Sequence, residues 1–408
     1  MRRRQGQQGS SEHLRPPFLR NGKIVSKRWK ILHRLGAGTF GEVYAADDRE
    51  LKKSVALKIE LNDMSNEEGL LKMEVEVLKE LSNRPHTPQF FGSGRRPAYT
   101  YIVISRCGID LYTVMKQSGM MHLSESTVLR VAVHALYAIK QVHEIGYLHR
   151  DVKPSNMVFG ATMQDSKIIY LIDYGLARQY AEKDSSTGKW LFRKPRERAE
   201  VRGTTRFCSI NIHLKKEQSR ADDMWAYVYS MIDLGPGLPW SKQARDERVQ
   251  QMKEEFSDEK MLSGKLECFQ PIMAHVRKLG YYDRPDYKMI YGKLMESIRK
   301  KDVQFDDPYD WESTKKSSSD QEKKDCSLYT VDETAGSTSE GESHSGEQHG
   351  KSDKAEKPEV RPEFPTMEAK YFDHQEGDIP SGNSSLHMTP PNKRKGFIRK
   401  PVESEFLI

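Results

Sequence analysis

Apolar positions near the start of the chain recur at the spacing of β-strands. The runs WKILHRL, GEVYAADD and SVALKIEL begin at Trp29, Gly41 and Ser54 and are separated by turn residues, which is typical of neighbouring strands. The run SNEEGLLKMEVEVLKEL then repeats apolar side chains at helical spacing. Two more short apolar runs, PQFFGSG and YTYIVIS, follow it. The pattern predicts a small sheet-rich lobe with one helix, ending near Ser105.

After Gly108 the apolar spacing becomes helical. In LSESTVLRVAVHALYAIKQVHEIG, Ser124 is the predicted N-cap and Gly146 the predicted end of a long helix with one apolar face. The runs NMVFG and KIIYLIDYG predict a hairpin, and helical and loop segments continue to PYDWE. The pattern predicts a larger, mostly helical second lobe.

Both ends of the chain are polar. Residues 1–24 are basic and rich in Gly and Gln, without the apolar core of a secretory signal, and we predict a disordered arm. Residues 313–408 are predicted to be a disordered, low-complexity tail, since a stretch so poor in apolar side chains cannot offset its chain entropy. The large aliphatic or aromatic side chains between Ser313 and Arg361 are Leu328, Tyr329, Val331 and Val360.

Composition narrows the class of protein. Of 408 residues, 31% are charged and 36% hydrophobic, a dilution that indicates a folded part joined to unfolded parts. The net charge of +7 is modest, and no apolar run reaches the length of a membrane span. The four cysteines form no C-x-x-C pair, as expected of free thiols in a reducing compartment. We expect a cytoplasmic monomer without nucleic-acid or membrane partners.

The basic run NKRKGFIRKP near the end is interpreted as a solvated tail, with a nuclear signal or a contact to an acidic partner as alternatives.

The run LGAGTFGEVY places Gly36, Gly38 and Gly41 between two predicted strands. This glycine spacing alone fits a dinucleotide fingerprint, a hairpin turn or no function equally well. A dinucleotide site needs a helix to follow, whereas here a strand with Val43 follows. The context favours a glycine hairpin whose backbone N–H groups lie over the phosphates of a nucleotide.

The next strand carries Lys58 within VALK. By itself this residue fits a strand-end lysine facing water. A lysine that contacts the α- and β-phosphates of a nucleotide needs a helical glutamate to hold it. The candidates are Glu67, Glu68, Glu74 and Glu76. We predict Glu74, which lies sixteen residues after Lys58 and in mid-helix.

The stretch YLHRDVKPSN places Asp151, Lys153 and Asn156 directly after an apolar run, and LIDYG adds Asp173. Unpaired charges next to a core cost several kcal/mol, so a buried ion-pair network is one interpretation. Phosphoryl transfer, which needs positioning and charge neutralisation around a metal–nucleotide complex, is the other. In that chemistry Asp151 orients the attacking hydroxyl, Lys153 neutralises the γ-phosphate, and Asn156 and Asp173 hold Mg²⁺.

These motifs, in this order, resemble a eukaryotic protein kinase from about Trp29 to Glu312. The resemblance implies an α+β, bilobal kinase domain over residues 25–312, with a β-rich N-lobe at 25–105, a mostly helical C-lobe at 106–312, and disordered tails. Lys153, two residues after the aspartate, resembles the serine/threonine class. In that class the residue matching Thr204 of RGTTRF bonds the catalytic aspartate and lysine.

The subgroup is also recognisable. CSIN replaces the usual Ala-Pro-Glu, and together with GTTRF, EQSRADDMW and GLPW it is similar to the casein kinase 1 group. LKMEVEVLKEL, LIDYGLARQY, RPDY and DPYDWE look most like its tau-tubulin kinase branch. The branch makes a cytoskeletal substrate an option. Asp223 matches the aspartate that braces the catalytic loop, and Tyr174 departs from the usual Phe of the magnesium motif.

The resemblance implies ATP and Mg²⁺ as cofactors. Ile104 is the expected gatekeeper, and Ser105 and Arg106 form the expected hinge that meets the adenine edge. Asp110 either reaches the ribose or caps a helix. The positions that match the family's nucleotide site are Leu35, Gly36, Ala37, Gly38, Thr39, Phe40, Gly41, Val43, Ala56, Lys58, Ile104, Arg106 and Val158.

Between Tyr174 and Asn211 there are nine Lys or Arg against four Asp or Glu. A solvated surface is one interpretation of such a run. In the casein kinase 1 group the positions that match Arg178 and Arg206 help form an anion pocket, and Arg150 and Arg202 are further candidates for it here. The sequence thus predicts a serine/threonine kinase that transfers the ATP γ-phosphate to protein substrates with acidic or already phosphorylated surroundings. A pseudokinase scaffold that binds such partners is the alternative.

Overall fold

The computed structural model describes residues 18–38, 41–62, 70–262, 264–313, 368–375 and 377–382. The glycine-loop residues Thr39 and Phe40 and the alternative partners Glu67 and Glu68 lie outside these ranges, as do most of the two tails. Within them the chain forms a β-rich lobe followed by a mostly helical one, which confirms the predicted bilobal α+β fold.

The N-lobe is an antiparallel sheet of six strands in the order β1-β2-β3-β4-β6-β5. Its strands are β1 Ile24–Val25, β2 Trp29–Ala37, β3 Gly41–Asp48, β4 Lys53–Leu61, β5 Phe90–Arg95 and β6 Tyr99–Ser105. Helix α1, Leu70–Glu80, packs on the sheet and joins the apolar core of the second lobe through its buried Val77 and Leu78. The helix therefore couples the two lobes.

The C-lobe is helical, with short strands around its upper edge. Its helices are α2 Leu111–Gln117, α3 Glu125–Glu144, α4 Ile210–His213, α5 Arg220–Leu234, α6 Asp246–Glu255, α7 Asp258–Leu262, α8 Phe269–Lys278, α9 Tyr287–Lys300 and α10 Asp310–Ser313. Its strands are β7 Cys107–Asp110, β8 Tyr147–Leu148, β9 Met157–Gly160, β10 Ile169–Leu171, β11 Arg178–Gln179, β12 Ala181–Lys183 and β13 Trp190–Phe192. The antiparallel pairing of β9 with β10 confirms the predicted hairpin.

Helix α3 is the centre of the C-lobe. Ser124 caps it as predicted, since its hydroxyl accepts a hydrogen bond from the Thr127 N–H at 3.2 Å. The prediction of a single apolar face is too narrow, because every residue from Thr127 to Glu144 is buried. The polar side chains of α3 reach partners from distant elements: Arg130 donates to the carbonyl oxygen of Pro308 at 3.1 Å.

The prediction of disorder is wrong for the last residues of the arm and for one segment within the tail. In the arm, Leu19 is 1% exposed and donates its N–H to the Tyr44 hydroxyl at 2.9 Å. In the tail, Phe372 and Ile379 are buried against the C-lobe. Composition measures what a segment can bury within itself, whereas both segments are buried by surfaces that other elements supply.

Two smaller expectations concern membranes and thiols. Among the helices of the described ranges, none is long and apolar enough to cross a bilayer. Cys107, Cys208 and Cys268 are free thiols, as expected, and Cys326 lies outside the described residues.

Candidate functional site

The two lobes meet at a cluster of one lysine and two carboxylates. Lys58 Nζ lies 2.8 Å from Glu74 Oε2 and 2.8 Å from Asp173 Oδ1. Lys58 is on the central strand β4, Glu74 is on α1, and Asp173 follows β10, so the cluster joins both lobes. Glu76, two positions along α1, is exposed, because residues two apart lie on nearly opposite sides of a helix. The structure thus favours Glu74 and removes the interpretation of Lys58 as a surface lysine.

Burial and charge oppose each other in this cluster. Burial by itself lowers the pKa of Lys58, but the two carboxylates outweigh it and hold that pKa above its usual range. Burial raises the pKa of Glu74, and this effect exceeds the opposing effect of Lys58. For Asp173, Lys58 outweighs burial and holds the pKa below its usual value. Asp173 therefore stays ionised at neutral pH, as a metal ligand must.

The catalytic-loop candidates form a second cluster. Asp151 accepts hydrogen bonds from Lys153 Nζ at 2.6 Å and from the Thr204 hydroxyl at 2.7 Å. Lys153 also donates to Thr204 Oγ1 at 3.1 Å. The amide nitrogen of Asn156 donates to the backbone oxygen of Asp151 at 2.9 Å. Asp151, Lys153, Asn156 and Thr204, all predicted from the sequence, are therefore brought together.

Asp223 on α5 fixes the backbone of the loop that carries Asp151. Its carboxylate accepts the backbone N–H groups of His149, at 2.7 Å, and Arg150, at 2.8 Å. It also bonds His143 Nε2 at 2.9 Å. Arg150 adopts a left-handed backbone with φ 68°, which is strained for a residue with a side chain. The buried carboxylate supplies the hydrogen bonds that hold this conformation.

Asn156 and Asp173 have the chemistry of a site for a divalent metal ion. The Asn156 amide nitrogen bonds the loop backbone, which assigns metal binding to the amide oxygen. Asp173 gives one oxygen to Lys58, and its side chain is 46% exposed. The Ile172 N–H donates to the Asn156 carbonyl at 3.0 Å, so the two segments are adjacent. Carboxylate and amide oxygens suit a hard divalent cation.

The glycine loop begins as a tight hairpin. The Gly38 N–H donates to the Gly41 carbonyl at 2.8 Å. A Cβ added at Gly41 would collide with the backbone oxygen of Ile59 on β4, whereas one at Gly36 or Gly38 meets nothing within 4 Å. Gly41 is thus needed for strand packing, and the other two leave open backbone over the cleft. Ala37 pairs with Glu42 across the hairpin.

The residues expected around the adenine lie on strands of both lobes: β2, β3, β4 and β6 of the N-lobe and β9 of the C-lobe. Ala56 pairs directly with Ile104 across β4 and β6, and Val43 pairs with Lys58. Val158 on β9 is 4% exposed. Leu35 on β2 is 41% exposed, as a residue at the open edge of a cleft can be.

The hinge residues are fixed by their neighbours. Arg106 turns its guanidinium to the Ser54 hydroxyl at 2.9 Å, and the Ser105 N–H donates to the Gln89 carbonyl at 2.9 Å. Asp110 caps α2 by accepting from the Thr113 N–H at 2.9 Å. Of the two alternatives for Asp110, the structure therefore favours the cap.

Three of the four predicted anion-pocket residues line one cavity: Arg150, Arg178 and Arg202. Arg206 is not among the residues that line it and pairs instead with Asp233 at 3.3 Å. The sequence analysis missed Arg196, which also lines the cavity. Arg196 lies in the basic run between Tyr174 and Asn211 from which the anion pocket was predicted. Which arginines of that run reach the cavity depends on how the run folds, and the sequence does not give this.

Carboxylates that pair with the arginines partly neutralise the positive charge of the cavity. Glu217, with a side chain 1% exposed, pairs with Arg178 at 3.1 Å and with Arg196. These arginines outweigh burial and hold the pKa of Glu217 below its usual value. Burial, with Arg178 nearby, lowers the pKa of Arg150 to about 10. Glu200 pairs with Arg202 at 2.5 Å, so the local charge is positive but not unopposed.

Tyr174, the departure from the usual Phe, is fully buried, and its hydroxyl donates to the Leu171 carbonyl at 2.7 Å. The added oxygen thus has a hydrogen-bond partner.

The sequence analysis also missed Lys253 on α6, which is 4% exposed. Its ammonium donates to the carbonyl oxygens of Thr205 at 2.7 Å and Cys208 at 2.6 Å. A lysine in a polar helix gives no sequence signal for such a role.

Comparison with known proteins agrees with this geometry. Residues 29–297 match the Protein kinase domain family. A provisionally named serine/threonine-protein kinase of Caenorhabditis elegans is 36% identical over 299 residues, which is 72% of this chain and 85% of the relative. An inactive tau-tubulin kinase of the same species is 34% identical over 250 residues, 59% of this chain and 86% of the relative. A provisionally named casein kinase I, also from C. elegans, is 29% identical over 297 residues, 71% and 85% of the two chains.

Proposed function

This chain belongs to the serine/threonine protein kinase family, and we propose that it transfers the γ-phosphate of Mg-ATP to serine and threonine hydroxyls in acidic or phosphorylated surroundings. The observation that carries the proposal is the simultaneous formation of two clusters. Lys58 contacts both Glu74 and Asp173, while Asp151 contacts both Lys153 and Thr204. A chain that had lost catalysis would have no need to keep both sets.

The roles follow from charge and position. Lys58, fixed by Glu74, meets the α- and β-phosphates. Asp151 orients the attacking hydroxyl and accepts its proton, and Lys153 offsets charge on the transferred group. Asn156 and Asp173 hold the metal ion, which when bound neutralises phosphate charge. Each side chain is held by a partner before substrate arrives, so little reorganisation is needed during transfer.

Support for the substrate preference comes from the arginine cavity. Arg150, Arg178, Arg196 and Arg202 line it, and a planar guanidinium binds a phosphate or carboxylate through two parallel hydrogen bonds. Glu217 already occupies part of this capacity. An incoming dianion gains more from the remaining guanidinium groups than a single carboxylate does, so we propose a stronger preference for phosphorylated than for acidic sites.

Turnover of radiolabelled ATP on acidic, phosphorylated and basic serine peptides tests catalysis. We expect turnover with the wild-type chain and none with Asp173→Asn, because the amide cannot supply the anionic metal ligand. Equal turnover by Asp173→Asn contradicts the metal assignment. Absence of turnover on every peptide, with binding to acidic peptides retained, favours the pseudokinase scaffold instead; one relative is named inactive.

The preference is tested by Arg202→Ala. Loss of one charge-assisted contact, at about 1.5–3 kcal/mol, raises KM for the phosphorylated peptide by roughly tenfold or more. The basic peptide should be unaffected. Arg198→Ala is the matched control, since Arg198 is an exposed arginine of the same loop and is not among the residues that line the cavity. Equal effects of the two substitutions contradict the proposal.

Two further parts of the proposal concern partners and place. Similarity to a tau-tubulin kinase supports a search for substrates among cytoskeletal proteins. The free thiols of the described residues support a reducing compartment, for which we propose the cytoplasm. Fractionation of cells that express the tagged chain tests this location, and recovery in a secreted fraction contradicts it.

A further inference from the structure

A short piece of the C-terminal tail, residues 368–375 and 377–382, lies in a groove on the C-lobe. The groove, called here the tail groove, is bounded by α3, α9, the loop around Tyr282 and the β12–β13 hairpin. It is separate from the nucleotide cleft and from the arginine cavity. About fifty residues, 314–367, join this segment to the end of α10.

One end of the segment is anchored by an aromatic ring. Phe372 is 1% exposed and stacks on Tyr291 of α9, with ring centres 4.3 Å apart and planes at 14°. Its edge meets Tyr137 of α3, with centres 5.5 Å apart. Stacked and edge-on contacts around one ring define a specific pocket for an aromatic side chain.

The other end of the segment is bound by charged side chains of the C-lobe. Asp378 pairs with Arg284 at 3.2 Å and with Lys140 at 3.6 Å. The Ile379 N–H donates to Glu144 at 3.0 Å, and the Pro380 carbonyl accepts from Arg220 at 3.0 Å. The groove therefore recognises the backbone as well as the side chains.

With the segment in place, the charged groups of the groove are buried. Arg220 is 1% exposed, Glu144 is 7% exposed, and the side chain of Arg284 is 9% exposed. Buried polar groups of this kind need partners, and the tail segment supplies several of them. The groove is thus a built site whose polar groups match an extended peptide.

The segment also closes a small apolar cluster on the β12–β13 hairpin. Ile379, fully buried, packs with Leu148, Tyr180, Ala181 and Phe192. Trp190 Nε1 donates to the Gly377 carbonyl at 3.2 Å. The hairpin follows the magnesium motif in the chain, so the segment connects that loop to α3 and α9.

We propose that the tail groove is a peptide-docking site for a segment with an aromatic residue followed, six residues later, by Asp-Ile-Pro. In this chain the occupant is residues 368–382, and its docking holds the β12–β13 hairpin in place. A tether of about fifty residues gives an effective concentration on the order of millimolar or somewhat below. The chain's own segment therefore keeps the groove occupied against free peptides of moderate affinity.

Hydrogen–deuterium exchange on the full-length chain tests the effect on the hairpin. Ile379→Asp places a carboxylate in the apolar cluster and beside Glu144, so we expect faster exchange both in residues 368–382 and in residues 180–193. Phe372→Ala, at the other end and without added charge, should have the same effect. The control is His374→Asp, which adds the same carboxylate at an exposed position of the segment and should exchange like wild type.

Unchanged exchange of the hairpin in Ile379→Asp and Phe372→Ala overturns the proposal. Exchange that rises equally throughout α5 indicates general unfolding and also counts against it. The expected result is a change confined to the segment and to the elements that it contacts.

Peptide binding tests the groove itself. A fluorescent peptide of residues 368–382 should bind the full-length Ile379→Asp chain saturably and bind the wild-type chain at least roughly tenfold more weakly, because the tethered segment competes. The same peptide carrying the Asp substitution at Ile379 should not bind. Equal binding to both chains, or no saturable binding to the Ile379→Asp chain, overturns the docking site.

Discussion

Thr204 offers a sharp test of the proposed catalytic geometry, because its hydroxyl bonds both Asp151 and Lys153. Its hydroxyl donates to Asp151 at 2.7 Å and accepts from Lys153 at 3.1 Å. Thr204→Val keeps the shape of the side chain and removes both hydrogen bonds. The direct contact of Lys153 with Asp151, at 2.6 Å, remains, so the pair is loosened and not broken.

A net hydrogen bond to a charged group contributes about 1.5–3 kcal/mol. If this stabilisation is lost only in the transition state, kcat falls by roughly 10- to 100-fold. KM for ATP should change little, since nucleotide binding depends on Lys58 and the glycine loop. Steady-state kinetics on one serine peptide, with ATP varied, measures both parameters.

Thr204→Ser is the matched control, because it keeps the hydroxyl and should retain most of the wild-type kcat. A Val variant with wild-type kcat refutes the positioning role of the hydroxyl. A Val variant in which KM for ATP rises while kcat is unchanged assigns Thr204 to nucleotide binding and contradicts the geometry described above.

Two further predictions concern stability. Gly203 has φ +100°, and a Cβ there would collide with the Arg150 carbonyl oxygen, so Gly203→Ala should lower the free energy of unfolding by about 1–3 kcal/mol; urea denaturation should show a smaller loss for Gly188→Ala, where the φ is also positive but nothing lies within 4 Å. Burial lowers the pKa of Lys253 to about 8, below the value of about 10.4 of an unfolded lysine. Between these values the unfolded state binds more protons, so stability should rise with pH by an amount on the order of 3 kcal/mol. Lys253→Met should remove this rise, and identical pH profiles of the two proteins contradict the pKa shift.

Some of the site was predictable because its information is local. Asp151, Lys153 and Asn156 lie within one short loop, and Lys58 lies within the short motif VALK, so motif and spacing carried them to the right elements. Glu74 was recoverable from its spacing of sixteen residues after Lys58 and its place in mid-helix. Helix periodicity agrees, since a residue two positions along α1 points the other way. The sequence therefore determined the fold class and most of the catalytic set.

Only the tertiary structure decided which residues contact partners that are distant in the sequence. Arg206 belongs to the same basic run as Arg178, yet it turns to Asp233, and Arg196 takes a place in the cavity that the run alone does not indicate. The clearest case is the tail. The bond from Ile379 to Glu144 joins residues 235 positions apart. A segment too polar to build its own core is ordered because a distant groove buries its few apolar side chains, and that groove exists only once the C-lobe has folded.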